Sequence, residues 1–277
     1  MLKIVPGGLD ANANRARGEV RAAFARSGPR TEARRTFETG GYRLRMPRSH
    51  ASGCDAVIVN TGGGMAGGDH VRIRATAGAE SDVTLTTTAA EKIYRSDGAT
   101  TRIEIDLAVE AGASLRWLPQ ETILFDEARL SRRLKVAMDG DASLLIGEIL
   151  VFGRLAMGET MRHGLVEDRW RVRREGRLVF AEALRFEGAI ADQLDRAALG
   201  AGARASATLL YVAPDAGDRL DAVRAALGSS EGLTAGASAW NGLLSVRALS
   251  RSPAHLRSAI LPVLIVLHGR PLPRCWL

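Results

Sequence analysis

The chain has 277 residues, and its 38 Lys and Arg against 31 Asp and Glu give a formal net charge of +7 and a pI of about 10.2. Hydrophobic residues make up 46% and charged residues 25%, which is typical of globular proteins and excludes a mainly disordered chain. Two cysteines exclude both a disulfide-stapled scaffold and a four-cysteine zinc site.

No signal peptide is visible at the start of the chain, and the longest apolar stretch, 260–267, is too short to cross a bilayer. We therefore expect a cytoplasmic protein that does not enter a membrane. The excess of arginine is compatible with an acidic partner. No block of five like charges occurs, however, and this favours an ordinary solvated surface.

Period-two alternation, typical of half-buried strands, is the strongest signal. In 101–109, apolar residues alternate with Arg102, Glu104 and Asp106. The run 144–152 is almost wholly apolar except for Glu148, as expected of a strand buried on both faces. Strands are predicted, in chain order, at 57–60, 71–77, 83–88, 101–109, 144–152 and 166–173.

Turn signals between these runs indicate a mainly β fold of layered or stacked sheets, either β-helix-like or sandwich-like. No repeat of fixed period is visible, which argues against a propeller or a regular solenoid. Without a linker that would divide it, 1–277 is expected to form a single domain. Within it we distinguish a sheet-rich part, 1–212, and a mixed α/β part, 213–277.

About two helices are predicted in the C-terminal third. The first covers 215–227, where apolar residues form one stripe. The second begins with Ser252 as the N-cap and Pro253 at its first position, and it ends at Gly269. Pro262, off the apolar stripe of this helix, is expected to kink it.

Two motifs resemble catalytic or nucleotide-binding loops but lack the required context. Residues 62–67 match G-x-G-x-x-G, yet an alternating strand follows where a phosphate-binding helix is needed. Residues 228–232 match G-x-S-x-G, but here a helix precedes and a strand-like segment follows, the reverse of a nucleophile elbow. Both are predicted to be turns or loops.

Acidic residues in apolar or glycine-rich surroundings are more informative, because a buried carboxylate must be paired or solvated. Either each one pairs with an arginine, or together they line a polar path through a β core. Histidines that follow such turns, His70 and His163, are the two considered as metal ligands. The acids in question are Asp69, Glu91, Glu121, Glu148, Glu159 and Glu182.

Five motifs occur in a characteristic order: GGGMAGGD, TTTAAEKIYRS, WLPQETILFDEARLSR, GEILVFGRLAMGE and a closing PLPRCWL. From about residue 15 to the C-terminus the chain resembles the UreD/UreH family of urease accessory proteins. The resemblance implies a non-enzymatic maturation factor with a mostly β, layered fold and no nucleotide site or tightly bound cofactor.

The resemblance also implies partners. These are the urease apoprotein, UreF and, through UreF, the GTPase UreG, with UreE as the usual nickel donor; the assembly acts as a GTP-hydrolysis-dependent chaperone. Nickel is expected to pass in transit through an internal tunnel, where carboxylates and water hold a divalent ion weakly enough to release it. Membrane and nucleic acid are not expected partners.

On this basis the tunnel role is assigned to Asp69, Glu148 and Glu182, with Glu91, Glu159, His70 and His163 as further candidates. The last predicted helix either docks UreF or simply packs in the core; its stripe consists of Leu256, Ile260, Val263, Leu264 and Leu267. The alternative function is a basic, β-rich nucleic-acid-binding domain. Only 5% of residues are aromatic, and they do not cluster among the arginines as base stacking requires.

Overall fold

A computed structural model describes residues 15–47 and 52–277. Within these residues the strands are β1 (Arg17–Ser27), β2 (Arg30–Thr39), β3 (Tyr42–Arg45), β4 (Cys54–Asn60), β5 (His70–Ala77), β6 (Asp82–Thr87), β7 (Glu91–Ile93), β8 (Thr101–Val109), β9 (Ser114–Leu118), β10 (Thr122–Leu124), β11 (Arg129–Met138), β12 (Ser143–Phe152), β13 (His163–Arg174), β14 (Arg177–Ala189), β15 (Ala205–Val212), β16 (Leu233–Trp240) and β17 (Leu243–Ser250). The helices are α1 (Ile190–Asp195), α2 (Leu220–Leu227) and α3 (Pro253–His268), with short 3₁₀ turns at Leu155–Met157 and Arg274–Trp276.

The strands form two sheets. The first has the order β14-β13-β11-β8-β5-β1-β2, and the second has the order β16-β17-β15-β12-β9-β6-β4-β3, with β10 joining β7 to β12. Between β4 and β13 the chain passes repeatedly from one sheet to the other. Most of these passages add a parallel strand beside the previous one. The result is a solenoid-like pair of stacked sheets.

The mainly β, layered prediction is confirmed in its β-helix-like form. The missing repeat argued against a regular solenoid, and the solenoid-like arrangement is irregular. Strands β5, β8, β11 and β13 lie side by side, yet they begin at His70, Thr101, Arg129 and His163, at unequal intervals. Because coiling requires only that strands alternate between two sheets, no fixed sequence period is needed.

The main core lies between the two sheets. Alternation in β8 directs Ile103, Ile105 and Leu107 inward, and they are at most 7% exposed. Trp117 of β9 and Trp170 of β13 enter the same core from opposite sheets. Hydrophobic burial on this scale is the dominant favourable term in folding.

A second core lies between helices α2 and α3 and the outer face of the second sheet. Helix α3 has the predicted limits: Ser252 Oγ accepts from His255 N (3.2 Å), Gly269 has φ 74°, and the helix continues through Pro262. Helix α2 begins at Leu220 rather than at residue 215, since the preceding residues form turns. Helix α1, with six residues, is too short to show a periodic pattern and was missed.

The apolar stripe of α3 belongs to this second core. Packing against β12, β15 and β17 leaves each of its five predicted docking side chains no more than 2% exposed. Their burial matches the core-packing alternative, and these side chains are not accessible to a partner in this structure. They are Leu256, Ile260, Val263, Leu264 and Leu267.

Candidate functional site

Three charged residues meet between the two sheets. Arg132 lies on β11 and Asp168 on β13, neighbouring strands of the first sheet, while Glu148 lies on β12 of the second. Their positions follow from strand alternation, since Arg132 shares its inward face with Leu130 and Leu134. Arg132 and Glu148 are 3% exposed and Asp168 is 5% exposed. We call these three residues the buried triad.

The guanidinium of Arg132 bridges the two carboxylates. Its Nε and Nη2 donate to Asp168 Oδ1 (3.1 Å) and Oδ2 (2.6 Å), which is the bidentate geometry that makes arginine–carboxylate pairs strong. Its Nη1 forms an ion pair with Glu148 and donates to Thr122 Oγ1 (3.3 Å).

Two indole groups complete the hydrogen bonding of these carboxylates. Trp117 Nε1 donates to Glu148 Oε1 (2.7 Å), and Trp170 Nε1 donates to Asp168 Oδ1 (3.1 Å). Burial raises the pKa of Glu148 above its usual range, although Arg132 opposes the shift. The triad carries one net negative charge only when both acids are ionised, and protonation of Glu148 makes it neutral.

A cavity of about 260 Å³ lies on one side of the triad, and both Arg132 and Glu148 line it. Glu91 also lines this cavity and accepts from Asn60 Nδ2 at 2.9 and 3.1 Å. Burial raises the pKa of Glu91 to about 7. Burial and the neighbouring Glu91 also raise the pKa of Tyr42, whose hydroxyl lies within hydrogen-bond distance of Asn60.

A second cavity, of about 220 Å³, lies on the other side of the triad and is lined by all three of its members. Glu182 of β14 lines its outer part and forms an ion pair with Arg247 of β17. This pair joins the two sheets. The Arg247 side chain is 60% exposed, so this end of the cavity reaches the surface.

Asp69 and His70 line a third cavity, of about 260 Å³, which shares Tyr42 and Asn60 with the first. Both Asp69 carboxylate oxygens accept backbone amides, one from Ala16 N and one from Ala66 N, each at 2.8 Å. Asp69 therefore also fixes the turn before β5.

Glu159 and His163 line none of these cavities. Glu159 pairs with Arg154 and accepts from Asp126 N (2.8 Å), while His163 N donates to Asp126 Oδ1 (3.0 Å). These contacts organise a surface turn. The structure thus groups five of the seven predicted metal-path residues around three adjoining cavities and leaves these two outside.

The sequence prediction omitted the two triad partners of Glu148. The alternation in 166–173 did place Asp168 on the apolar face with Trp170, and the same reasoning applied to 129–138 would have turned Arg132 inward. The sequence pattern could not show that residues on three different strands meet.

The G-x-G-x-x-G match at 62–67 and the G-x-S-x-G match at 228–232 both lie in loops, as predicted. Gly63 has φ 73°, a Cβ on Gly64 would lie 2.5 Å from the Tyr94 ring, and strand β5 follows without a helix. Ser230 Oγ lies 2.9 Å from His255 Nε2 in the loop between α2 and β16. No carboxylate is seen hydrogen-bonded to His255 within 15–47 and 52–277.

The outer face of the first sheet carries much of the charge as cross-strand ion pairs. Glu104 accepts from Arg72 (2.7 Å) and Arg133 (3.0 Å), and Arg74 lies 3.1 Å from Glu19. Arginines paired in this way are less available for nucleic-acid phosphates.

Within the described part of the chain, no three His, Cys, Asp or Glu side chains are grouped to hold a metal ion. Across the same residues, no helix combines the length and apolarity needed to span a membrane.

The fold and these cavities define a class of protein: a two-sheet β-solenoid with cavities on either side of a buried ion-pair triad. Residues 16–277 match the sequence model of the family described as UreD urease accessory protein. The chain therefore belongs to the UreD family.

Relatives in this family cover most of the chain. A urease accessory protein UreD from Methylobacterium sp. (strain 4-46) is 52% identical over 243 residues, 86% of each chain. The UreD of Azorhizobium caulinodans is 47% identical over 262 residues, covering 95% of this chain and 96% of its own. That of Xanthobacter autotrophicus is 49% identical over 262 residues, with 95% and 90% covered.

Proposed function

We propose that this chain is a urease maturation factor that conveys nickel to the urease apoprotein through the space between its two sheets. The observation that carries the proposal is that Arg132 and Glu148 line two cavities on opposite sides of the buried triad. These cavities also present Glu91 at one side and Glu182 at the other. Membership in a family named for urease accessory proteins supports urease as the recipient.

The donor set suits cargo in transit. Carboxylate, hydroxyl and amide oxygens hold a divalent cation less tightly than thiolates or clustered imidazoles do. Glu91, Glu148 and Glu182 supply such oxygens at successive positions, and Asp69 and His70 lie at the adjoining third cavity. An ion bound weakly at each position can move to the next.

In this proposal the chain acts in the cytoplasm as a chaperone subunit and not as an enzyme. UreF binds it directly, and UreF connects it to the GTPase UreG, whose GTP hydrolysis drives delivery. UreE supplies the nickel. The net positive charge of the chain suits contact with an acidic protein surface, and its few aromatic residues disfavour nucleic-acid binding.

The direct test is to produce the cognate urease with the other accessory proteins, with and without this chain, and to measure nickel per urease active site. We expect assembled but nickel-poor, inactive urease in its absence. Equal nickel content in both preparations would contradict the maturation role.

Variants then test the route. Glu182→Gln removes a charge from the second cavity, and Asp69→Ala changes the third; both are expected to lower nickel loading at least severalfold while the accessory complex still assembles. Glu187→Gln is the matched control for Glu182, since Glu187 lies on the same strand, pairs with Arg185 at the surface and lines none of the three cavities. Normal urease activation by both test variants would exclude this route.

A further inference from the structure

The first and second cavities meet at a side chain, that of Arg132. Arg132 lines both cavities and holds Glu148 and Asp168 at once. A cation moving directly from the first cavity to the second would therefore meet the Arg132 guanidinium. No other cation pairs with these two carboxylates within the described residues.

When both acids are ionised, the charges at this point are unbalanced. Two carboxylates face one guanidinium, whereas a single divalent cation would neutralise both. Isolated buried charges are costly, and removing one partner of a buried ion pair leaves the other uncompensated. Together the two carboxylates would offer a doubly charged occupant two anionic ligands.

An independent polar group points to an occupant of the first cavity. Gln120 is 5% exposed and lines this cavity; its Oε1 accepts from Arg257 (3.0 Å), but its Nε2 has no hydrogen-bond partner. Buried amide nitrogens are almost always hydrogen-bonded. Water or a hydrated ion in the cavity would satisfy this donor.

We propose that Glu148 and Asp168 form a divalent-cation site at the junction of the two cavities, and that the Arg132 guanidinium occupies this site as an exchangeable counter-ion between passages. This inference rests on the proposed nickel route and assigns its central step. The arriving cation takes both carboxylates while Arg132 turns into one of the cavities. When the cation leaves, Arg132 returns.

The exchange explains how a buried carboxylate pair can bind nickel without retaining it. Two uncompensated acids in a dry core would hold a divalent ion strongly, because electrostatic attraction increases as the dielectric constant falls. A tethered guanidinium competes for the same oxygens at high local concentration. A monovalent cation would bind this site less tightly, because it would leave one of the two carboxylates uncompensated.

The test is a gain of nickel binding in the Arg132→Gln variant of the full-length chain. We would measure nickel binding by titration calorimetry, with nickel salt alone as the probe, and the nickel retained after gel filtration. Arg132→Gln is expected to bind at least about tenfold more tightly than the native chain and to retain about one equivalent, because its competitor is gone. Arg133→Gln is the matched control, since Arg133 is the next residue on β11 but lies on the outer face.

A second variant covers the risk that Arg132→Gln does not fold. Arg132→Lys keeps the charge but lacks the fork that spans both carboxylates, so it should compete less well and bind nickel about threefold more tightly than the native chain. The double variant Arg132→Gln/Glu148→Gln should lose the added affinity. A folded Arg132 variant that binds nickel no better than Arg133→Gln would overturn the exchange.

These outcomes separate the exchange from the route itself. If Glu182→Gln lowers nickel loading of urease but no Arg132 variant gains nickel affinity, the route stands and the exchange fails. If Arg132→Gln gains affinity but neither Glu148→Gln nor Glu182→Gln changes urease loading, the site exists and the proposed function fails.

Discussion

Arg132 and Glu148 come from opposite sheets and form an ion pair in which both residues are only 3% exposed. Strand alternation directs each side chain inward, and the solenoid brings β11 and β12 face to face. Asp168 turns the pair into a triad. This triad is both an element of the core and the junction of the two cavities from which the functional account is built.

The triad should contribute strongly to the integrity of the fold. Arg132→Met leaves two buried carboxylates without their cation, so we expect it to lower the free energy of unfolding by about 3–5 kcal/mol. Arg133→Met should change it by less than about 1 kcal/mol, since exposed ion pairs contribute little. Urea denaturation measures the free energy of unfolding of both variants. Equal stabilities would show that the triad is not a strong core contact.

Glu91 should make stability decrease as the pH rises. Burial holds its folded-state pKa at about 7, above the ordinary value of 4.5, and Asp69 adds to the shift while Asn60 and Tyr42 oppose it. The unfolded chain therefore loses the proton first, and between about pH 4.5 and 7 the folded state loses up to about 3 kcal/mol. Glu91→Gln removes this loss.

Denaturation of the native chain and of Glu91→Gln at pH 5 and pH 8 measures this pH dependence of stability. The stability of Glu91→Gln relative to the native chain should increase between the two pH values. A difference that does not change with pH would mean that Glu91 ionises normally.

His268 should have the opposite effect at lower pH. Its ring is buried at the end of α3, within 3.1 Å of Thr84 Oγ1 and 2.8 Å of the Arg270 carbonyl oxygen. Burial, together with the nearby Arg116, lowers its pKa to about 4. As the pH falls from about 6.5 to 4, the unfolded chain takes up the proton first, and stability falls by up to about 3 kcal/mol.

The His268→Gln variant lacks this titration, so the gap in unfolding free energy between it and the native chain should narrow as the pH is lowered from 7 to 4. His163→Gln is the control for the loss of a histidine, because His163 is exposed on β13. The same profile in all three proteins would count against a neutral, buried His268.

The glycine turn before β5 should not accept a side chain. In Gly64→Ala the new Cβ would lie within 2.5–2.7 Å of three atoms of the Tyr94 side chain, so we expect a loss of about 1–3 kcal/mol by overpacking. Gly217→Ala adds the same methyl group where nothing lies within 4 Å. Thermal unfolding of the two variants tests this difference. Equal melting temperatures would contradict the close approach of Gly64 to the Tyr94 side chain.

The sequence predicted local structure well wherever a single segment carried the information. Strand β8 has the predicted limits, 101–109, and α3 follows its cap residues, Ser252 and Gly269. The acids singled out for apolar surroundings include Glu148, which is buried as expected.

What could not be predicted depends on which strands become neighbours. Arg132, Glu148 and Asp168 are separated along the chain and meet only because β11 and β13 lie together opposite β12. Likewise, the apolar stripe of α3 was compatible with either a core or a docking surface. Its packing on the second sheet decided the matter, and no sequence period encodes that choice.

The most direct measurement is the nickel content of urease matured with the Glu148→Gln variant. Glu104→Gln is the comparison, since Glu104 is paired at the outer face and lines neither the first nor the second cavity. With accessory complexes shown to assemble equally, the account predicts that urease matured with Glu148→Gln contains severalfold less nickel than urease matured with Glu104→Gln. Equal nickel contents would contradict passage of nickel between the two sheets.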